Sequence, residues 1–149
     1  VSAKIGLISQ TTLPLENVLL LINTLKKLRP SAEVRFIDTI CHPTKQRQTA
    51  LQDLCRENEL ILVIGGSNSN NTRQLADKAR SLGRKAIQIE KAADLRPEWF
   101  RGVSSVGVTA GTSTLDETVT AVMAELRRIA ADQKSNPYHE FLRLVSRVA

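Results

Sequence analysis

Aromatic residues, cysteines and long apolar runs are all scarce in this chain of 149 residues. Aromatic residues make up only 3%, which argues against a protein that stacks the bases of single-stranded nucleic acid on aromatic side chains. The two cysteines cannot form a disulfide framework, so we expect a reducing, cytoplasmic compartment. No apolar run approaches the roughly 18 residues of a membrane span. The expected partners are therefore neither a nucleic acid nor a membrane.

The chain has more basic than acidic residues. It contains 21 Lys and Arg against 15 Asp and Glu, a formal net charge of +6. That balance favours an anionic partner, and the absence of a dense Lys/Arg stripe favours a phosphorylated small molecule over a nucleic acid. The length fits one domain, or two small ones that share a core. Because Val1 stands directly before an apparent strand, we expect a processed chain or an excised piece.

Apolar periodicity predicts strands and helices in alternation. The predicted strands are Lys4–Ile8, Glu33–Ile40, Leu60–Ile64, Lys85–Glu90 and Ser105–Thr109. The predicted helices are Pro14–Leu28, Thr44–Glu57, Asn71–Leu82, Thr114–Ala131 and a tail helix from Tyr138 to Val148. This alternation predicts an α/β fold, with a parallel sheet of about five strands flanked by helices. We expect the ligand site at the C-terminal edge of the strands.

Small hydroxyl and amide side chains follow four of the five predicted strands, where each loop opens a helix. Helix N-termini bind phosphate well, so this edge suits a ligand with several anionic oxygens. Ser, Thr and Asn are also ordinary N-caps, and Thr114 with Glu117 has the spacing of a capping box. Capping alone does not explain the run from Ser67 to Thr72, because it has six such residues where a cap needs one or two.

The two cysteines have different surroundings in the sequence. Cys41 ends a predicted strand at the polar edge, so it is either a small structural residue or a ligand or nucleophile. Cys55 lies on the apolar face of a predicted helix, as expected of a core residue. Their spacing matches no zinc motif. No phosphate-binding P-loop, GxGxxG turn or nucleophile elbow is present.

Four blocks of residues, in order and with the right spacing, resemble the 4-hydroxy-3-methylbut-2-enyl diphosphate reductases, the LytB family. The blocks are Gln10-Thr11-Thr12; Asp38-Thr39-Ile40-Cys41 with Thr44 and Arg47-Gln48; Gly65-Gly66 with Asn68-Ser69-Asn70-Asn71-Thr72; and Val106-Gly107-Val108-Thr109-Ala110-Gly111-Thr112-Ser113 with Asp116. The resemblance runs from about Lys4 to Leu126 and concerns only the C-terminal half of that enzyme.

The resemblance implies roles for six residues. Cys41 matches the last of three thiolate ligands of a [4Fe-4S] cluster, and thiolate is the ligand such clusters require. Thr11 matches a threonine close to the substrate hydroxyl. The residues at the positions that hold the substrate diphosphate are Ser69, Asn70, Asn71 and Ser113. Asn70 replaces a serine that is usual in the family, and an amide still donates hydrogen bonds to phosphate. Leu115 stands where proline is common.

The same resemblance implies a reaction and a domain plan. The reaction is a two-electron reductive dehydroxylation that yields isopentenyl and dimethylallyl diphosphates, with electrons from a ferredoxin or flavodoxin. Residues 1–40 would end a middle α/β domain, residues 41–132 would form the C-terminal α/β domain, and residues 133–149 a tail helix. The other cluster ligands would lie in a missing N-terminal domain, so we expect the isolated chain to be inactive. The alternative hypothesis is a standalone phosphate- or nucleotide-binding module without redox activity.

Overall fold

The structure, a computed structural model, describes residues 3–134 and 143–146 and divides the chain into two compact units. The first unit is Val1–Lys45 and the second is Gln46–Ala149. The division therefore falls after Lys45, whereas the sequence analysis placed a domain boundary after residue 40. Within the described residues, no helix is long and apolar enough to cross a membrane.

The first unit is built around two parallel strands. β1 (Lys4–Ile8) and β2 (Glu33–Ile37) pair in parallel, and α1 (Leu15–Leu28) connects them. Along both strands, exposed residues alternate with half-buried ones. This period of two is typical of a sheet that is covered on one face only.

Parallel strands also form the centre of the second unit. In its sheet the strands lie in the order β4 (Lys85–Ile89), β3 (Leu60–Ile64), β5 (Ser105–Ala110) and β6 (Arg143–Ser146), and all neighbours are parallel. The helix α2 (His42–Glu57) begins at the end of the first unit and runs into the second. The elements are α2 (His42–Glu57), β3 (Leu60–Ile64), α3 (Asn70–Ser81), β4 (Lys85–Ile89), β5 (Ser105–Ala110), α4 (Asp116–Lys134) and β6 (Arg143–Ser146), with two 3₁₀ turns, Ala92–Asp94 and Pro97–Phe100, between β4 and β5.

The two central strands of this sheet are buried along their whole length. On one face, β3 contributes Leu60, Leu62 and Ile64 to an apolar cluster with residues of α4. On the other face, Ile61 and Val63 pack in a cluster with residues of α2 and α3. Helices on both faces of a parallel sheet explain why β3 is a continuous apolar run rather than an alternating one.

The α/β fold class is confirmed, but the prediction of one sheet is wrong. The strands divide into a sheet of two and a sheet of four. The physical reason is visible in burial: Ile8 and Ile37, at the ends of β1 and β2, are exposed, unlike the residues of β3 and β5. The strands with alternating exposure belong to a sheet of their own, and the continuously buried strands form the centre of the larger sheet.

Two further predictions need correction. The tail contains a strand, β6, where the sequence analysis predicted a helix, because the outer edge of β5 is available for pairing from Ser105 to Val108. The remainder of that predicted helix lies outside the described residues. In addition, β2 ends at Ile37 rather than at Ile40. There the Asp38 carboxylate accepts the Ile40 N–H at 3.1 Å, which is an Asx-turn that bends the chain out of the strand.

Candidate functional site

In the first unit, the loops that follow β1 and β2 are tied together by two residues. Thr39 Oγ1 accepts the Ser9 N–H at 3.0 Å and donates to the Ser9 carbonyl at 2.5 Å. The two hydroxyl groups also lie within hydrogen-bond distance, at 3.3 Å. Parallel pairing places the C-terminal ends of both strands at one edge, and Thr39 fixes the spacing of the two loops there.

The same edge carries both residues predicted from this unit to be functional. The Cys41 N–H donates to the Thr11 carbonyl at 3.2 Å, so the structure brings Thr11 and Cys41 together. The Thr11 side chain is exposed and Cys41 is half-buried. Cys41 Sγ lies 2.9 Å from the hydroxyl of the buried Thr44.

Cys41 stands immediately before α2, and its carbonyl accepts the Lys45 N–H at 3.2 Å. That bond makes Cys41 the N-cap of a helix of 16 residues. The partial positive charge at a helix N-terminus stabilises a thiolate, and a neighbouring hydroxyl can donate a hydrogen bond to it. Cys41 therefore lies at a helix start with a hydroxyl within hydrogen-bond distance of its sulfur.

A carboxylate and an ammonium group flank this edge. Lys45 Nζ lies 2.5 Å from Asp38 Oδ2. The hydrogen bond from Lys45, supported by the Ile40 N–H and the positive charge of Lys45, holds the pKa of Asp38 below its ordinary value. The carboxylate stays ionised and consolidates the turn that leads into Cys41.

In the second unit, the loop between β3 and α3 carries three of the predicted diphosphate residues. Ser69 is the N-cap of α3: its side chain accepts the Thr72 N–H at 3.3 Å, and its carbonyl accepts the Arg73 N–H at 3.0 Å. Asn70 and Asn71 form the start of the helix. Asn71 is only 5% exposed, and its Nδ2 has no hydrogen-bond partner among the described residues.

The loop between β5 and α4 carries the fourth residue, Ser113, which is exposed. Because Ile64 and Ala110 are partners in the sheet, this loop and the loop after β3 leave adjacent strand ends. The structure thus brings Ser113 to the same edge of the sheet as Ser69. The two loops are also bonded to each other, since the Gly111 N–H donates to the Ile64 carbonyl at 2.8 Å.

The predicted capping box at the start of α4 is wrong. Thr114 Oγ1 donates to the carbonyl of Ile64 at 2.9 Å instead of capping the helix. The carbonyl that accepts the first helical N–H groups belongs to Leu115, which bonds Thr118 N at 3.0 Å and Val119 N at 3.2 Å. The hydroxyl that local spacing predicted as the helix cap therefore donates to a carbonyl at the end of β3, which is far away in the sequence.

Two residues at the end of β4 support the loop after β3, and the sequence analysis missed both. Gln88 Nε2 donates to the carbonyls of Gly65 and Gly66, at 3.3 and 2.9 Å. Glu90 Oε1 accepts the Ser67 N–H at 2.6 Å, and hydrogen bonds from Ser67, first from its side chain and then from its N–H, lower the pKa of Glu90. The sequence signal that could have indicated them is the pair of polar residues, Gln88 and Glu90, at the end of the strand next to β3.

The thiols of this chain do not fit an iron–sulfur cluster by themselves. Cys55, the second of the two cysteines, is 4% exposed and packs in the apolar cluster beside α2 and α3, as predicted for a core residue. Burial raises the pKa of its thiol, which opposes the thiolate form that a cluster requires. No group of three metal-binding side chains occurs among the described residues. Cys41, by contrast, is half-buried beside the hydroxyl of Thr44.

Comparisons with curated proteins find relatives that share one name. The 4-hydroxy-3-methylbut-2-enyl diphosphate reductase of Geobacter metallireducens is 40% identical over 132 residues, which are 89% of this chain and 46% of the relative. The reductase of the same name from Escherichia coli is 38% identical over 127 residues, 85% of this chain and 40% of the relative. The chain thus spans less than half the length of these relatives, which fits the C-terminal portion that the resemblance implied.

Solved structures give the same result. A structure of (E)-4-hydroxy-3-methyl-but-2-enyl diphosphate reductase, 36% identical, matches 84% of this chain and 44% of its own length with a TM-score of 0.58. The E-1-hydroxy-2-methyl-but-2-enyl-4-diphosphate reductase from Plasmodium falciparum shares the fold at 24% identity, with a TM-score of 0.74 over 97% of this chain and 43% of its own. The profile of the LytB protein family matches residues 1–127. On this evidence the chain belongs to the LytB family.

Proposed function

We propose that this chain supplies the diphosphate-binding part of the active site of a 4-hydroxy-3-methylbut-2-enyl diphosphate reductase. The observation that carries the proposal is the side chain of Asn71. It is almost fully buried, yet its Nδ2 donor has no partner among the described residues. A buried donor without an acceptor is costly, and a phosphate oxygen supplies the acceptor. Ser69 and Asn70, directly before it, offer further hydrogen-bonding groups of the right kind.

The charge of the two helix starts indicates where the diphosphate binds. The first turn of α3 has no acidic residue, so its N–H groups and positive end attract an anion. The first turn of α4 carries Asp116 and Glu117, whose carboxylates repel one. We therefore assign the main anion contact to α3, and Ser113 contributes a neutral hydroxyl from the adjacent loop.

Two residues of the first unit complete the proposal. Thr11 would contact the substrate hydroxyl, and Cys41 would be one thiolate ligand of a [4Fe-4S] cluster. Because Cys55 is buried in the core, the remaining thiolates must come from outside this chain. The reductive dehydroxylation to isopentenyl and dimethylallyl diphosphates, with electrons from a ferredoxin or flavodoxin, then requires an N-terminal domain of the kind that the resemblance implies. The 149-residue chain alone is expected not to turn over.

Calorimetric titration with inorganic pyrophosphate tests the diphosphate site. Loss of one hydrogen bond to a charged oxygen costs about 1.5–3 kcal/mol, so Ser69→Ala and Ser113→Ala should each weaken binding by about tenfold or more. Ser81→Ala is the matched control, because Ser81 is an exposed serine at the other end of α3. If both site variants bind pyrophosphate as tightly as the parent chain, the assignment is wrong.

A further inference from the structure

The loops after β3 and β5 meet at one side chain, that of Thr72. Thr72 lies in the first turn of α3 and is fully buried. A Cβ atom added to Gly65 would collide with Thr72 Oγ1, and a Cβ atom added to Gly111 would collide with the same oxygen. The hydroxyl of Thr72 is therefore packed directly against the backbone of both loops, and glycine is required on each side of it.

At this contact the hydroxyl acts by packing. Thr72 Oγ1 has no hydrogen-bond partner among the described residues, and its contacts with the backbones of Gly65 and Gly111 are van der Waals contacts. Each backbone leads to a residue of the proposed diphosphate site. Ser69 bonds the N–H of Thr72 itself, and Ser113 follows Gly111 in the same loop.

We propose that Thr72 is a positioning residue that sets the separation between Ser69 and Ser113, and thereby the fit of a ligand with two linked phosphates. The proposal rests on the proposed diphosphate site. A ligand with a single phosphate needs only one of the two loops, whereas a diphosphate must reach both. Loss of the Thr72 contact should therefore affect two-phosphate ligands selectively, an effect that a merely structural threonine would not produce.

The selectivity is measured by titrating pyrophosphate and orthophosphate into the same variants. Thr72→Ala should weaken pyrophosphate binding by about tenfold and orthophosphate binding by less than about twofold. Thr72→Ser keeps the oxygen that contacts both glycines and should bind both ligands like the parent chain. Val122→Ala is the matched control: it removes the same number of heavy atoms from a fully buried site on α4, and should leave the ratio of the two affinities unchanged.

A double-mutant cycle with Gly111 tests the contact itself. Gly111→Ala should weaken pyrophosphate binding and lower the melting temperature, because the new methyl group collides with Thr72. In the Thr72→Ala background the same glycine substitution should have a much smaller effect on both measurements. Additive effects in the cycle, or an equal loss for both ligands in Thr72→Ala, would overturn the proposal. If the parent chain binds neither ligand, the proposed function fails, while the coupling in melting temperature still tests the contact.

Discussion

The backbone N–H of Cys41 donates a hydrogen bond to the carbonyl of Thr11 at 3.2 Å. A main-chain hydrogen bond thus joins Cys41, the proposed cluster ligand, to Thr11, which is proposed to contact the substrate hydroxyl. A second tie between the same two loops, from Thr39 to Ser9, lies beside it. Because a positioned site needs supporting hydrogen bonds around it, the geometry at Cys41 should depend on Thr39.

Replacing Thr39 by valine should loosen this edge of the first unit. Valine preserves the shape of threonine but removes the oxygen that accepts the Ser9 N–H. We expect amide hydrogen exchange at Ser9 to accelerate by about tenfold, the equivalent of one lost hydrogen bond. Exchange at Cys41 should rise in the same direction, because the two ties act on the same pair of loops.

Thr24→Val provides the control for that experiment. Thr24 is exposed on α1, and its hydroxyl donates to the carbonyl of Leu20 at 2.9 Å within the helix. Its loss should leave exchange at Ser9 and Cys41 unchanged. Equal exchange rates at Ser9 in the parent chain and in Thr39→Val would show that the Thr39 tie does not support the loops.

The ion pair between Asp38 and Lys45 should make the stability of the first unit depend on pH. The pKa of Asp38 is lowered in the folded protein, mainly by the hydrogen bond from Lys45, so the unfolded chain binds a proton more readily. The contribution of Asp38 is therefore present above the ordinary aspartate pKa of 3.8 and is lost as the pH falls through the lowered value. Asp38→Asn should flatten this part of the profile in urea unfolding between about pH 5 and pH 2.

Lys45→Met tests the cause of the lowered pKa independently. Methionine keeps most of the length of the side chain but has no positive charge, so the largest influence on Asp38 disappears. The acid-dependent loss of stability should then be smaller than in the parent chain, and added salt should have less effect. A profile for Lys45→Met that matches the parent chain would show that Lys45 is not the cause.

The local sequence pattern predicted most of the helices and strands, but it did not predict which strands pair with each other. Lys4–Ile8 and Leu60–Ile64 have the predicted bounds, because strand periodicity is a property of a few neighbouring residues. The division into two sheets was missed because apolar periodicity does not say which strand lies beside which. In the tail, four residues pair with β5, and an apolar spacing compatible with a helix face did not exclude so short a strand.

In the candidate site, too, the local sequence pattern did not predict the long-range contacts. The edge of polar loops was predictable, because the C-terminal ends of parallel strands meet there. The bond from Thr114 to the carbonyl of Ile64 was not, since it joins residues 50 positions apart. Only the fold could show that Thr72 touches Gly65 and Gly111.

Asn71→Leu should separate folding from binding. Leucine has a similar volume and no unsatisfied donor, so the substitution should leave the free energy of unfolding unchanged or raise it by about 1 kcal/mol. Pyrophosphate binding should fall by at least about tenfold, because a phosphate oxygen loses its buried donor. Urea unfolding and calorimetry on the same preparation measure both quantities. A destabilised variant with normal pyrophosphate affinity would contradict the role assigned to Asn71.

A chain that ends at Lys134 should show whether β6 protects the sheet. β6 pairs with β5 from Ser105 to Val108, and its removal leaves an open edge on a fully buried strand. Open edges of this kind promote association between chains. We expect a melting temperature lower by about 5 °C, faster amide exchange along β5, and light scattering that increases with protein concentration.

The control for this truncation removes only residues 147–149 and keeps β6 in place. That shorter truncation should melt and scatter light like the parent chain, because the pairing with β5 is intact. If the tail instead formed the helix predicted from its apolar spacing, deleting it would uncover no strand edge. Amide exchange along β5 would then be the same in both truncated chains, a result that would exclude the strand. Exchange along β5 therefore distinguishes a tail that completes the sheet from one that only packs beside it.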